Sequence, residues 1–94
     1  MSEDSELPLV TFSRAAKMDT MNAARWYEAH SPQVGDRFVA AVDRVVERLR
    51  TFPESSPRVH PRVRSAVLST FPYSLSYVYE KGQIRVLSVR HWKL

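Results

Sequence analysis

Two stretches before residue 52 carry apolar side chains at helical spacing. The first runs from Arg14 to His30 without glycine or proline, and Ser13 before it is a suitable N-cap. One face of this predicted helix holds Ala16, Ala23 and Tyr27, with Ala15, Trp26 and Ala29 beside them. Asp19 and Asn22 interrupt the apolar face. We therefore expect a helix whose amphipathicity is imperfect.

A second helix is predicted from Pro32 to about Thr51. Ser31 is a suitable N-cap, and Pro32 suits the first helical position because its missing amide costs nothing there. The apolar stripe of this helix consists of Val34, Phe38, Ala41, Val45, Leu49 and Phe52, with Val42 and Val46 beside it. Helices joined this tightly should pack as an antiparallel hairpin. We expect Trp26 and Tyr27 to pack inside it.

The rest of the chain has the pattern of short strands. Leu7–Phe12 predicts an edge strand before the helices, and Arg62–Ser69 predicts a further strand after the proline-rich loop FPESSPRVHPR. Apolar residues then alternate with smaller or polar ones, which indicates a strand with one buried face; they are Tyr73, Leu75, Tyr77 and Tyr79. Lys81-Gly82 predicts a two-residue hairpin turn. Ile84–His91 is rich in β-formers and should lie centrally.

The predicted order of elements is β-α-α-β-β-β. It implies an α+β fold in which an N-terminal strand precedes an antiparallel helical hairpin, packed on a small, mostly antiparallel sheet. At 94 residues the chain is expected to form one domain over residues 1–94, with residues 1–6 disordered because they are polar and acidic.

Basic side chains are concentrated in the second half of the chain. Residues 1–52 carry seven basic and eight acidic side chains, whereas residues 53–94 carry seven basic and two acidic ones. This distribution points to an acidic or polyanionic partner, or it only keeps the protein in solution. There is no cysteine, which excludes a disulfide scaffold and a thiol nucleophile. Without a signal-peptide pattern or an apolar run of about 20 residues, we expect a cytoplasmic protein without membrane contact.

Three segments resemble the RelE/ParE toxin superfamily, also called plasmid-stabilisation proteins. They are ARWYEAHSPQVGDRFVAAV at residues 24–42, LRTFPESSP at 49–57, and RSAVLSTFPYSLSYVYEKGQIRVLSVRH at 64–91. The third is similar to a family pattern of Arg, Phe-Pro-Tyr, Tyr and a terminal His, here Arg64, residues 71–73, Tyr77 and His91. The resemblance implies the fold given above. It also implies a cognate antitoxin with an acidic segment, and hence a hetero-oligomer.

The superfamily contains two activities, so the resemblance leaves two targets open. RelE-like members cleave mRNA in the ribosomal A site, and ParE-like members inhibit DNA gyrase without being enzymes. If this chain is a nuclease, its catalytic candidates are His91, Arg64 and Arg90. Here a histidine would move a proton and the arginines would hold phosphate. The candidates for binding a partner or nucleic acid are Arg58, Arg62, Arg85, Tyr73 and Trp92.

Departures from the RelE-like pattern weaken the nuclease interpretation. In the segment Tyr73-Ser74-Leu75, serine stands where an arginine is expected. The region after the second helix has no lysine cluster, and no terminal tyrosine is present. A ParE-like toxin is therefore favoured, with a non-toxic binding module as a third alternative. The non-catalytic alternatives are a structural or solvent-exposed His91, core-packed tyrosines at 73, 77 and 79, and an ion pair of Arg64 with Glu80 or with an acid of the antitoxin. His30 and His60 lack partners at metal-ligand spacing, so neither a metal nor a cofactor is expected.

Overall fold

The computed structural model describes residues 7–93 and has the predicted order of elements. The bounds are β1 at Leu9–Phe12, α1 at Arg14–His30, α2 at Pro32–Thr51, β2 at Arg64–Val67, β3 at Tyr73–Glu80 and β4 at Gln83–His91. Both helices match the sequence prediction, and the two edge strands are shorter than predicted. The disorder expected for residues 1–6 lies outside the described residues.

The helical hairpin depends on the side-chain cap of Ser13, on a backbone hydrogen bond of Ser31 and on one glycine. The hydroxyl of Ser13 accepts a hydrogen bond from the Ala16 N–H at 3.0 Å, and the Ser31 N–H donates to the Tyr27 carbonyl at 3.0 Å. Gly35 is buried where α2 crosses α1, and a Cβ built on it would lie 3.0 Å from the Cβ of Glu28. The glycine therefore permits the close approach of the two helices.

The four strands form one mixed sheet in the order β1-β4-β3-β2. β4 is central as predicted, because β1 pairs with it in parallel and β3 pairs with it antiparallel. The turn between β3 and β4 has positive φ at both residues, 55° at Lys81 and 74° at Gly82, which fits the predicted hairpin turn. The register shifts once, where the partners of Ser76 and Tyr77 are Ser88 and Val86, so Leu87 is the extra residue of a bulge.

The core lies between the helical hairpin and one face of the sheet. Its largest fully buried side chains are Tyr77, Phe38, Leu49, Leu75, Ile84, Val42 and Val86. Several positions predicted to be apolar contacts are instead exposed, namely Ala15, Trp26, Ala29 and Phe52. The first three lie beside the buried residues of α1, Ala16 and Ala23, on the part of the helix that faces away from the core. Phe52 is the C-cap residue of α2. Those predictions were wrong. Within residues 7–93 no helix has the length and apolar character needed to cross a membrane.

Candidate functional site

The first turns of α1 complete the open edge of β4. β1 pairs only with residues 83–86 of β4, and beyond that point side chains of α1 take its place. The Ser13 hydroxyl donates to the Leu87 carbonyl at 3.0 Å, and the Asp19 carboxylate accepts from the Val89 N–H at 3.0 Å. Asp19 therefore interrupts the apolar face of α1 for a structural reason: it binds the strand that carries the last predicted site residues.

Removing this carboxylate should loosen the end of β4. We expect Asp19→Ala to lower the free energy of unfolding by about 1–3 kcal/mol, because it leaves a partly buried amide without its charged acceptor. The Val89 amide should exchange with solvent much faster, measured by hydrogen exchange. Asp43→Ala, which removes an exposed carboxylate of α2, is the control. Unchanged exchange at Val89 would show that Asp19 does not hold the strand.

A groove of about 710 Å³ opens between α1 and the end of β4. Its walls and floor are formed by Asp19, Asn22, Ala23, Trp26, Tyr27, Tyr73, Val89, Arg90 and His91. We call it the α1–β4 groove. Three predicted site residues meet here, namely Tyr73, Arg90 and His91. The groove is open and lined largely by apolar and aromatic surface, with two basic side chains and one acid at one end, so it suits a partner side chain better than a small polar ligand.

The floor of the groove rests on a cluster of four aromatic rings. Tyr27 stacks on Phe38 at a centroid distance of 5.5 Å and meets Phe71 edge-on at 4.9 Å. Tyr73 packs against Phe38 at 5.0 Å. Burial raises the pKa of the Tyr27 and Tyr73 hydroxyls, and Tyr73 adds to the rise at Tyr27. Both tyrosines therefore remain hydrogen-bond donors at neutral pH, on a floor that packing keeps rigid.

Trp26 stands at the rim of the groove with 59% of its surface exposed. Its ring meets Tyr27 edge-on at 5.0 Å and lies 4.5 Å from the His30 ring. His30 is held in turn, because its Nδ1 donates to the Trp26 carbonyl at 3.0 Å. The predicted packing inside the hairpin is correct for Tyr27 and wrong for Trp26. Neighbouring residues on a helix are about 100° apart, and here Tyr27 turns towards the core whereas Trp26 turns towards the rim.

His91 and Arg90 both line the groove. The Lys93 N–H donates to Nδ1 of His91 at 3.1 Å, so that nitrogen carries no proton and the neutral ring has its proton on Nε2. The ring lies 5.1 Å from that of Tyr73. Arg90 is exposed and its Nε is 3.7 Å from the Asp19 carboxylate, a surface ion pair that contributes little to stability.

Arg64, the third catalytic candidate, lies on β2, the edge strand that β3 separates from β4. Its guanidinium donates to the carbonyls of Glu54 and Ser56 at 3.0 and 2.8 Å and so holds the loop after α2. Arg64 on β2 pairs with Tyr77 of β3, whereas His91 on β4 pairs with Tyr73 of β3. From strand geometry, the Cα atoms of Arg64 and His91 are therefore ~16 Å apart. The structure therefore does not bring Arg64 together with His91 and Arg90.

The remaining binding candidates lie outside the groove. Arg62, not Arg64, pairs with Glu80, through two hydrogen bonds of 2.5 and 2.6 Å; the predicted partner of Glu80 was wrong by two residues. The hydrogen bond from Arg62 is the main reason that the pKa of Glu80 is lowered. Arg58 and Arg85 are exposed, and Trp92 is half-exposed with the Lys93 ammonium 5.6 Å from its ring centre. Among residues 7–93, no three histidine or carboxylate side chains converge in a way that could hold a metal.

Comparison with known proteins assigns the family. The model of the ParE toxin of the type II toxin–antitoxin system, parDE, matches residues 10–93. The chain belongs to the ParE toxin family. The resemblance to the RelE/ParE superfamily, and to its ParE-like members, is thereby confirmed, and this protein is a toxin of a type II toxin–antitoxin module.

Solved structures agree with the fold of this ParE-family toxin. Nine chains of solved structures match significantly. One of them is from a chromosomal ParDE TA system from P. aeruginosa, and it is 20% identical to this chain with a TM-score of 0.60. The match covers 92% of this chain and 97% of that one. Comparison with curated proteins gives no significant match.

Proposed function

We propose that this ParE-family toxin acts by binding a protein target in the cytoplasm, DNA gyrase, through the α1–β4 groove. We further propose that a cognate antitoxin neutralises it. The observation that carries the proposal is the exposed Trp26 beside a groove with a rigid aromatic floor. Family membership supports the class of activity, and the groove is the surface at which the target would bind.

The groove has the features of a protein-binding hot spot. Tryptophan, tyrosine and arginine dominate the energetics of protein interfaces, and Trp26, Tyr73 and Arg90 all line this groove. Trp26 is also fixed by Tyr27 and His30 before any partner arrives. A side chain already held in place loses little conformational entropy on binding, so more of its contact energy contributes to affinity.

The geometry of His91 and Arg64 disfavours RNA cleavage. A general base needs an unprotonated nitrogen that faces its substrate, but in His91 that nitrogen is Nδ1 and it already accepts from the Lys93 N–H. Arg64 is directed at loop carbonyls and cannot share a phosphate with His91. The nuclease alternative rests on one observation, namely that His91, Arg90 and Tyr73 line a common groove.

Two assays with the purified chain test the proposal. We expect inhibition of supercoiling by gyrase, and we expect translated mRNA to remain intact when mapped by primer extension. Unchanged supercoiling at large toxin excess would refute the gyrase target. Cuts in mRNA that disappear in His91→Ala would establish the nuclease, and a chain that does neither and leaves growth unaffected would be a non-toxic binding module.

A further inference from the structure

The solvent-facing side of α1 carries a second line of residues at helical spacing. The buried residues of α1 are Ala16 and Ala23. On the other side of the helix, five exposed residues follow one another at intervals of three or four positions, and they are Ala15, Met18, Asn22, Trp26 and Ala29. At about 100° per residue they lie within an arc of about 80°, and Met18 and Trp26 give it two large apolar side chains. We call this line the outer stripe of α1.

The outer stripe is symmetric about Asn22. Its intervals are three, four, four and three positions, so Met18 and Trp26 are equally far from Asn22, as are Ala15 and Ala29. If two copies of α1 lie antiparallel with their Asn22 residues opposite each other, Met18 of each copy faces Trp26 of the other. The two asparagine amides can then hydrogen-bond to each other, because each carries both donors and an acceptor. An interface on a two-fold axis must be self-complementary in this way, whereas a helix of another protein imposes no such symmetry.

The charges beside the outer stripe also fit an antiparallel second copy. Arg14 begins α1 and Glu28 lies in its last turn, and both side chains are exposed. Each has the sign that the dipole of its own helix disfavours at that end. None of the ion pairs within residues 7–93 includes either side chain. In the antiparallel pair, Arg14 of one copy and Glu28 of the other lie on the same flank with an axial offset of about 3 Å, so opposite charges meet at each end of the interface.

We propose that two molecules of this toxin associate through the outer stripes of α1 as an antiparallel pair with two-fold symmetry. Trp26 belongs both to the outer stripe and to the rim of the α1–β4 groove, so pairing covers the side chain proposed to contact the target. This consequence rests on the proposed function: the monomer inhibits and the pair does not. A 17-residue helix is about 25 Å long, so the interface is small and the association is weak and concentration-dependent.

Cysteine cross-linking tests the pairing and its register, because the chain has no cysteine of its own. Asn22→Cys places the two thiols at the two-fold axis, and mild oxidation should convert most of the protein into a disulfide-linked dimer on non-reducing gels. Ala15→Cys is the matched control, since the two copies of residue 15 are about 21 Å apart along the axis, too far for a disulfide. Ala15→Cys combined with Ala29→Cys should cross-link again. Equal cross-linking of Asn22→Cys and Ala15→Cys would overturn the antiparallel register.

Charge reversal tests the same pairing at equilibrium, measured by sedimentation of the full-length toxin. Arg14→Glu and Glu28→Arg should each raise the dissociation constant of the dimer at least about fivefold, because the two-fold axis makes each substitution affect both ion pairs. Each reversal also suits the dipole of its own helix, so a loss of helix cannot explain the effect. The double variant should associate within about twofold of the unaltered toxin, and so should the control Arg44→Glu on α2. An unaltered toxin that stays monomeric up to about 1 mM would overturn the proposal.

The variant with cysteines at positions 15 and 29 connects the pairing to the target surface, because neither residue lines the α1–β4 groove. Its oxidised dimer should inhibit gyrase at least about tenfold less than the same protein after reduction. If the cross-linked dimer inhibits as strongly as the reduced protein, the pair does not cover the target surface, and that part of the proposal is overturned. If the dimer forms but neither the reduced variant nor the unaltered toxin inhibits gyrase, the proposed function fails while the pairing stands.

Discussion

Replacing Phe38 with alanine is expected to lower the free energy of unfolding by about 3–5 kcal/mol, the range for deleting a buried aromatic ring. Phe38 is fully buried and lies at the centre of the aromatic cluster, within 5.0–5.5 Å of the rings of Tyr27, Phe71 and Tyr73. Alanine would remove these contacts and leave a cavity that rings fixed in opposing elements cannot fill. Domains of this size are stable by about 5–15 kcal/mol, so the variant should keep only a small margin.

Urea denaturation followed by circular dichroism measures this loss. The control is Val39→Ala on the next residue of α2, which is exposed and should cost well under 1 kcal/mol. A loss below about 1 kcal/mol for Phe38→Ala would mean that the helical hairpin repacks over the sheet. Because Phe38 supports Tyr27 and Tyr73, the variant should also weaken target binding at temperatures where it remains folded.

The helices and the central strand were predictable because several local signals agreed at each of them. Ser13, Ser31 and Pro32 mark helix starts, and the apolar periodicity identifies the buried face well in α2 and less well in α1. The central place of β4 was predicted correctly because Ile84–His91 is rich in β-formers, and in the sheet β4 pairs with β1 along one edge and with β3 along the other. The hairpin turn followed from Gly82, since few other residues adopt its positive φ. The organisation as one domain stays a prediction.

The site was only partly predictable, because its contacts join residues that no local pattern links. Asp19 was recognised as an interruption of the apolar face, and that interruption was the available signal for its hydrogen bond to Val89, 70 residues away. The choice between Arg62 and Arg64 as partner of Glu80 depends on how the loop after α2 folds back. Arg64 is turned towards that loop, and this is visible only once Glu54 and Ser56 are placed. The roles assigned to individual site residues remain predictions.

Trp26 was missed because its sequence neighbours favoured the opposite interpretation. An aromatic pair on a helix beside a tight hairpin is usually core packing, and for Tyr27 it is. The ring of Trp26 falls outside the arc that the sheet covers, so the largest side chain of α1 is left at the surface. A large exposed aromatic that continues an apolar groove forms a contiguous patch of the kind that marks protein interaction sites.

Trp26→Ala should therefore reduce gyrase inhibition far more than it reduces stability. Truncating a central tryptophan of an interface typically costs about 2 kcal/mol or more, which corresponds to about a 30-fold rise in the toxin concentration that gives half-inhibition. The melting temperature should change little, because the ring is mostly exposed and alanine favours the helix. Met21→Ala is the matched control, since Met21 lies on the same helix, is 47% exposed and does not line the α1–β4 groove.

Binding and folding can be distinguished by comparing two variants. Trp26→Ala should lose gyrase inhibition and keep its melting temperature, whereas Phe38→Ala should lose stability first. Supercoiling assays and calorimetry on the same protein preparations measure both quantities. Equal inhibition by Trp26→Ala and the unaltered toxin would exclude the α1–β4 groove as the target surface. Loss of both inhibition and stability in Trp26→Ala would show that the ring supports the fold and is not a contact for the target.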